Sequence, residues 1–135
     1  MPSNINVRYA VNGDDILLDT NAIIYFLEGR SRIAEHVLFA ERIYYSVITE
    51  IELLSSPHLS EKDNEAIRGF LSRCLRADLT SDVVERAIHI RRTEGLKTPD
   101  AIIAATAIVN GFPLVTADKR FGRVVDLRVI TDILE

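Results

Sequence analysis

The amino-acid pattern predicts an α/β domain: a three-layer sandwich whose central, mostly parallel sheet of four to five strands has helices on both faces. Short apolar, β-branched runs alternate along the chain with stretches that are long enough to form helices. Strands that are separated by helices pair in parallel through right-handed crossovers. The length of 135 residues, with 47% hydrophobic and 27% charged residues, is that of a single folded domain and excludes intrinsic disorder.

The first predicted unit is a strand followed by two helices. The strand is the apolar run 16–18, and the helix-capping residue types at 19–21 begin a helix over residues 22–27. Gly29 is expected to end this helix, because glycine readily adopts the left-handed conformation of a C-terminal cap. Ser31 is expected to cap a second helix that continues to about residue 40.

The second unit begins at residues 42–47, where β-branched and aromatic side chains predict a strand. A helix follows and ends near Ser55, because Pro57 cannot continue it. The amphipathic stretch 60–74 predicts another helix, and residues 75–79 predict a weaker strand.

The last part of the chain continues the alternation. Ser81 or Asp82 is expected to cap a helix that ends before Gly95. Thr98 and Pro99 predict the start of the next helix, with proline at its first position. Strands over residues 113–116 and 127–130 complete the predicted domain, which spans residues 15–135.

The extension 1–14 is polar, and the sequence leaves two interpretations open. It is either flexible or adds an edge strand through residues 7–11. Its residues show neither a positively charged leader nor an apolar signal core, so we expect a cytoplasmic protein. The longest nearly apolar stretch, 101–109, is far shorter than the ~20 residues that cross a bilayer, and we expect no membrane association.

Composition also argues against several kinds of site. Cys74 is the single cysteine and the three histidines lie far apart, which excludes a disulfide framework and a ready-made cysteine or histidine metal site. The six glycines form neither a dinucleotide-binding nor a P-loop fingerprint. The net charge of −4 argues against a protein that holds nucleic acid by overall positive charge.

Four acidic residues follow predicted strands, at the edge where open parallel sheets bind their ligands. They are Asp19, Glu52, Asp100 and Asp118. If these like charges converge they need a counter-cation, and Mg²⁺ or Mn²⁺ is the usual partner of ligand sets made of oxygen alone. Such a cluster performs phosphoryl chemistry with a metal-activated water and no covalent nucleophile.

Each of these acids also has a structural explanation. Asp19 and Asp118 can each cap a helix, and Glu52 stands at the capping-box spacing from Thr49. Asp100 lies at the positive end of a helix dipole, which favours any acid. Their joint occurrence favours a shared site, because ordinary capping is served equally well by Ser, Asn or Thr. Glu50 points to a different side of its helix from Glu52 and is the weaker candidate ligand.

Four stretches of the chain resemble the PIN-domain nucleases, and specifically VapC-type toxins of type II toxin–antitoxin pairs. They are residues 17–21, 46–53, 98–107 and 114–121, and the resemblance extends over almost the whole chain from Ile16 onward. It implies that Asp19, Glu52, Asp100 and Asp118 hold Mg²⁺ or Mn²⁺ for hydrolysis of RNA phosphodiester bonds. It also implies that Asn21 and Thr116 shape the acidic pocket.

The resemblance further implies a homodimer and a cognate antitoxin that docks near the acidic cleft. The sequence departs from the family at Arg120, where members often carry another acid. This departure either removes a carboxylate ligand from a second metal site or replaces it with a contact to phosphate. Basic residues near the acidic motifs are expected to bind the RNA backbone, the alternative being a solvated surface: Lys97, Lys119, Arg120 and Arg123.

Two other functions remain as alternatives. One is a catalytically degenerate PIN-like module that binds RNA or protein and uses its acids only as caps. The other is a phosphatase of the haloacid dehalogenase type. That type needs a second acid two residues after its nucleophile, and this chain has Asn21 there, which argues against it. Metal binding through Asp19 and Asp100 distinguishes the nuclease from the degenerate module.

Overall fold

The central sheet is parallel throughout and has helices on both faces, as predicted. The structure is a computed structural model that describes residues 5–7 and 14–134. Within these residues the sheet has six strands in the order β1-β6-β5-β2-β3-β4. The strands are β1 (Ile5–Val7), β2 (Asp15–Leu18), β3 (Arg42–Ser46), β4 (Leu75–Ala77), β5 (Leu114–Val115) and β6 (Arg128–Ile130).

The sheet has one strand more than the predicted maximum, because β1 comes from the N-terminal extension and pairs with β6. The edge strand expected over residues 7–11 lies, apart from Val7, outside the described residues. No helix that the structure describes is long and apolar enough to span a membrane.

Within the described residues, six α-helices connect the strands. They are α1 (Thr20–Leu27), α2 (Ser31–Phe39), α3 (Val47–Leu54), α4 (Glu61–Leu71), α5 (Ser81–Glu94) and α6 (Thr98–Asn110), and a 3₁₀ helix (Lys119–Arg123) follows β5. Gly95 and Gly111 end α5 and α6 in the left-handed conformation. These C-terminal caps fix the lengths of the two helices that pack most closely against each other.

Three predicted helix starts are wrong by one residue. The side chain of Thr80, and not Ser81 or Asp82, caps α5 by accepting the Val83 N–H. Ser31 is already the first residue of α2, and Pro99 is the second residue of α6. The position of a cap depends on which residue takes the extended backbone conformation, and Ser, Thr and Asp at neighbouring positions suit this role equally well.

Two apolar cores lie on opposite faces of the sheet. Leu17 packs on one face in the core that includes α5 and α6, while Ile16 and Leu18 pack on the other face with α1, α2 and α4. This alternation follows from the two-residue period of a strand, and burial on both faces explains why the run 16–18 is continuously apolar.

The central strands bring two chain segments together at their carboxyl ends. Leu18 is in register with Val115, and the Asp19 N–H donates to the Val115 carbonyl at 3.1 Å. Asp19 and Thr116 therefore leave the sheet side by side. This arrangement fixes the position of the site described next.

Candidate active site

A cleft of about 240 Å³ opens at the carboxyl ends of the central strands. All four acids that follow predicted strands line it, from four different segments of the chain: Asp19, Glu52, Asp100 and Asp118. Asn21 and Arg120 also line the cleft, whereas Thr116 is buried beneath it. The structure therefore brings the predicted acidic residues together.

Asp19 is the most deeply placed of these acids, with 6% of its surface exposed. Its Oδ1 accepts the Ala22 N–H at 2.8 Å, so it caps α1, and its Oδ2 accepts the Thr116 hydroxyl. Burial raises the pKa of Asp19 from 3.8 to about 6, although both hydrogen bonds oppose this rise. Asp19 therefore caps α1 and lines the cleft with the same side chain.

Thr116 connects two of the acids. Its fully buried hydroxyl donates to Asp19 and accepts the Asp118 N–H at 3.0 Å. The carboxylate of Asp19 and the backbone of Asp118 are thereby held to the same oxygen atom. Replacing this hydroxyl would leave a buried acceptor and a partly buried donor without their partner.

Glu52 reaches the cleft from α3. The Thr20 hydroxyl lies 2.6 Å from Glu52 Oε1 and 3.1 Å from Thr49 Oγ1. The expected capping box between Thr49 and Glu52 is wrong, because Ser46 caps α3 by accepting the Thr49 N–H at 3.1 Å. Glu52 is therefore free of a capping role.

Glu50 lies on a different side of α3. Its Oε1 accepts a hydrogen bond from Arg76 Nη1 at 3.2 Å, and it does not line the acidic cleft. The sequence-based preference for Glu52 over Glu50 agrees with this geometry.

Arg120 is the cation of the cleft. Its Nε lies 3.0 Å from both carboxylate oxygens of Asp118, and its Nη2 lies 2.5 Å from Asp118 Oδ2 and 3.5 Å from Asp100 Oδ2. The hydrogen bonds from Arg120 hold the pKa of Asp118 below its ordinary value. The pKa of Asp100 is raised, chiefly by burial, even though Arg120 attracts its charged form.

The donor set of the cleft suits a hard divalent cation. Its acids offer carboxylate oxygens only, and Asp19 and Glu52 accept hydrogen bonds from uncharged groups. Within the described residues, no three acidic, histidine or cysteine side chains stand close enough to form a finished ligand set. Like charges repel and Arg120 lies between two of the acids, so a bound cation would have to draw the carboxylates together.

The other basic residues expected to bind RNA do not line this cleft. Lys97 precedes α6 and is exposed, and Lys119 is exposed at the start of the 3₁₀ helix. Arg123 is also exposed and donates to the Glu94 carbonyl at 3.3 Å. Lys97 and Arg123 are nevertheless close enough to influence the charges of Asp100 and Asp118 respectively.

Sequence reasoning missed the Thr20 hydroxyl that contacts Glu52 and the Thr49 hydroxyl that contacts Thr20. Thr20 contacts a residue 32 positions away, and nothing in the local pattern indicates this pairing. Thr20 does stand between two expected site residues, and Thr49 precedes Glu52 by one helical turn. These positions are the sequence signals that could have identified them.

Comparison with known proteins defines the family. A model of the PIN domain matches residues 16–127. The chain belongs to the PIN-domain family. A comparison of the sequence with curated proteins finds no match.

Solved structures of toxin–antitoxin complexes are similar to this PIN domain. A toxin–antitoxin complex from Klebsiella pneumoniae contains a chain with 27% identity and a TM-score of 0.77, covering 89% of this chain and 99% of that one. The DNA-bound VapBC of Salmonella typhimurium gives 26% identity and a TM-score of 0.76, covering 87% and 96%. VapBC-1 of nontypeable Haemophilus influenzae gives 26% identity and a TM-score of 0.69, covering 85% and 96%.

Proposed function

We propose that this PIN domain is a Mg²⁺- or Mn²⁺-dependent endoribonuclease and the toxin of a toxin–antitoxin pair. The observation that carries the proposal is the convergence of Asp19, Glu52, Asp100 and Asp118 in one cleft at the carboxyl ends of the strands. The similarity to the Klebsiella and Salmonella complexes, both above 25% identity, supports the role as a toxin.

Asp19 and Asp100 are the principal metal ligands in this mechanism. They would hold a divalent cation, which when bound would supply a metal-activated water and neutralise charge on the scissile phosphate. Asp19 is suited to this task because Ala22 and Thr116 fix its carboxylate, so little further ordering is needed on binding. Burial raises the pKa of Asp19, and a nearby cation would favour its ionised form.

Glu52 and Asp118 act as supporting ligands or orient the attacking water. Thr20 holds the Glu52 carboxylate at the rim of the cleft. The water oxygen forms a bond to phosphorus while a bond from phosphorus to a ribose oxygen breaks; the water loses a proton and the leaving oxygen takes one up from solvent. The products carry a phosphate monoester on one fragment and a hydroxyl on the other, and no covalent intermediate with the protein forms.

Local cations compensate for the overall charge of −4 when RNA binds. Lys97, Lys119 and Arg123 lie exposed around the acidic cleft and can approach phosphates on either side of the scissile bond. Arg120 already contacts two acids, so its charge acts inside the cleft.

An antitoxin segment and a second copy of the chain are the proposed protein partners. An apolar groove of about 380 Å³ adjoins the acidic cleft and shares Glu52 with it, and α1, α3 and α4 contribute its walls. A segment that docks in this groove would block access of RNA to the acids. Light scattering of the purified chain measures whether it forms a dimer.

Cleavage of a mixed tRNA and total RNA pool tests the nuclease proposal. Wild type with Mn²⁺ or Mg²⁺ is compared with the same reaction in EDTA and with Asp100→Asn. Glu50→Gln is the matched control, because it removes a carboxylate from the same helix as Glu52 without touching the cleft. We expect fragments with wild type and Glu50→Gln in metal, and none in EDTA or with Asp100→Asn.

The opposite result favours the degenerate module. Arg120 among the acids and the unfinished ligand set within the described residues are the observations that favour this second candidate. If antitoxin-free wild type and Asp100→Asn fold alike and leave the same RNA pattern, the nuclease proposal is wrong. The protein would then be tested for RNA and protein binding.

A further inference from the structure

The acidic cleft contains its own cation, and this arrangement divides the cleft into two unequal parts. On one side, the guanidinium of Arg120 forms a fork with both oxygens of Asp118 and reaches Asp100 at 3.5 Å. On the other side, Asp19 and Glu52 receive hydrogen bonds from a backbone N–H and two threonine hydroxyls. Among the described residues that line the cleft, positive charge is therefore supplied beside Asp118 and not beside Asp19.

Local structure holds the Arg120 fork in place. Asp118 caps the 3₁₀ helix by accepting the Arg120 N–H at 2.9 Å, so backbone and side chain of one residue contact the same carboxylate. The Asp118 N–H in turn donates to Thr116, which fixes this segment to the end of β5. Because the partners are two residues apart in one turn, little chain entropy opposes the pairing.

The hydrogen bonds from Arg120 also occupy the carboxylate oxygens that Asp118 would offer to a metal ion. Its Oδ1 accepts from the backbone N–H and from Nε of Arg120, and its Oδ2 accepts from Nε and Nη2. A divalent cation at Asp118 would have to displace a guanidinium that contacts both carboxylate oxygens. Asp19 and Glu52 present no such obstacle.

We propose that Arg120 takes the place of a second divalent cation, so that the cleft binds one divalent cation, held by Asp19 and Asp100 with Glu52 beside them. The inference rests on the proposed metal-dependent function and specifies how many divalent cations bind to each chain. A guanidinium supplies charge for a phosphate but cannot ionise a water, because it has no free lone pair and keeps its proton at all relevant pH values. Water activation then belongs to the single cation, and Arg120 stabilises charge across the cleft.

Counting bound Mn²⁺ per chain tests the inference without an activity assay. Isothermal titration calorimetry and Mn²⁺ electron paramagnetic resonance are applied to the full chain as wild type, Arg120→Gln and Arg120→Lys. Arg42→Gln is the matched control, because Arg42 forms a fork with Asp15 at the opposite ends of the strands, with both contacts at 3.1 Å. We expect one Mn²⁺ in wild type, Arg120→Lys and Arg42→Gln, and two in Arg120→Gln.

Each other result overturns the inference. Two Mn²⁺ in wild type, or one in Arg120→Gln, would show that Arg120 does not replace a cation, while the proposed metal site would stand. Absence of Mn²⁺ from every variant would refute the metal site itself as well as its stoichiometry.

A second comparison covers the case in which Arg120→Gln does not fold. Asp118→Asn is expected to weaken Mn²⁺ binding far less than Asp19→Asn does, because Arg120 already contacts both oxygens of the Asp118 carboxylate. Asp19→Asn is expected to abolish binding. Equal losses in the two variants would contradict the division of the cleft.

Discussion

Replacing Asp19 with asparagine is expected to make the metal-free protein more stable at neutral pH. Burial raises the pKa of Asp19 from 3.8 to about 6, so the fold favours the protonated carboxyl. A rise of this size corresponds to about 3 kcal/mol between the two protonation states. Asparagine is uncharged and remains a good N-cap that can accept the Ala22 N–H.

The sign of the pH dependence follows from the direction of the shift. Since the folded-state pKa is above the unfolded value, the stabilising effect of protonating Asp19 is fully present below about pH 4 and is lost as the pH rises through about 6. At about pH 7.5 the free energy of unfolding of Asp19→Asn should therefore exceed that of wild type by up to about 3 kcal/mol. Below about pH 4 the two proteins should differ little.

Urea unfolding followed by circular dichroism measures this difference. Both proteins are unfolded in EDTA across the range from about pH 4 to pH 7.5. An asparagine variant that is less stable than wild type by the same amount at every pH would refute the reasoning. Asp19 would then contribute to stability through its contacts, and the cost of its buried charge would be negligible.

Three further changes test other parts of the cleft. Arg120 lowers the pKa of Asp118, so the contribution of Asp118 to stability is fully present above its ordinary pKa and is lost as the pH falls through the lower folded-state pKa. Asp118→Asn should therefore lower the melting temperature at neutral pH, and this difference should shrink as the pH falls below the ordinary pKa. Thr116→Val leaves a buried acceptor on Asp19 unsatisfied and should cost about 1–3 kcal/mol in urea unfolding, and a cost near zero would contradict the contact. Replacing Lys119 and Arg123 together with Gln should flatten the salt dependence of RNA binding in EDTA by about two phosphate contacts, and an unchanged slope would contradict their proposed role.

The fold could be predicted because its signals are local. The run 16–18 is apolar at every position, which is typical of a strand buried on both faces, and it lies at the centre of the sheet. The convergence of the acids could be predicted from the same pattern, because the carboxyl ends of parallel strands meet at one edge.

The partners of the site residues could not be predicted, because they depend on backbone geometry and tertiary contacts. The pairing of Arg120 with Asp118 requires the 3₁₀ turn that follows Asp118, and its contact with Asp100 crosses between two segments. The contact of Thr20 with Glu52 exists only when α1 packs beside α3. The N-cap of α5 shifted to Thr80 because Thr80, Ser81 and Asp82 are all suitable capping residues.

Analysis of the RNA ends produced by the chain tests the central claim most directly. A short single-stranded RNA is incubated with wild type in Mn²⁺, and the termini are identified by mass spectrometry beside Asp100→Asn and an EDTA reaction. Hydrolysis by a metal-activated water predicts ends that carry a linear phosphate monoester on one fragment and a hydroxyl on the other, both absent from the two controls. Ends carrying a 2′,3′-cyclic phosphate, or products that persist in EDTA, would contradict a metal-dependent hydrolysis at the four acids.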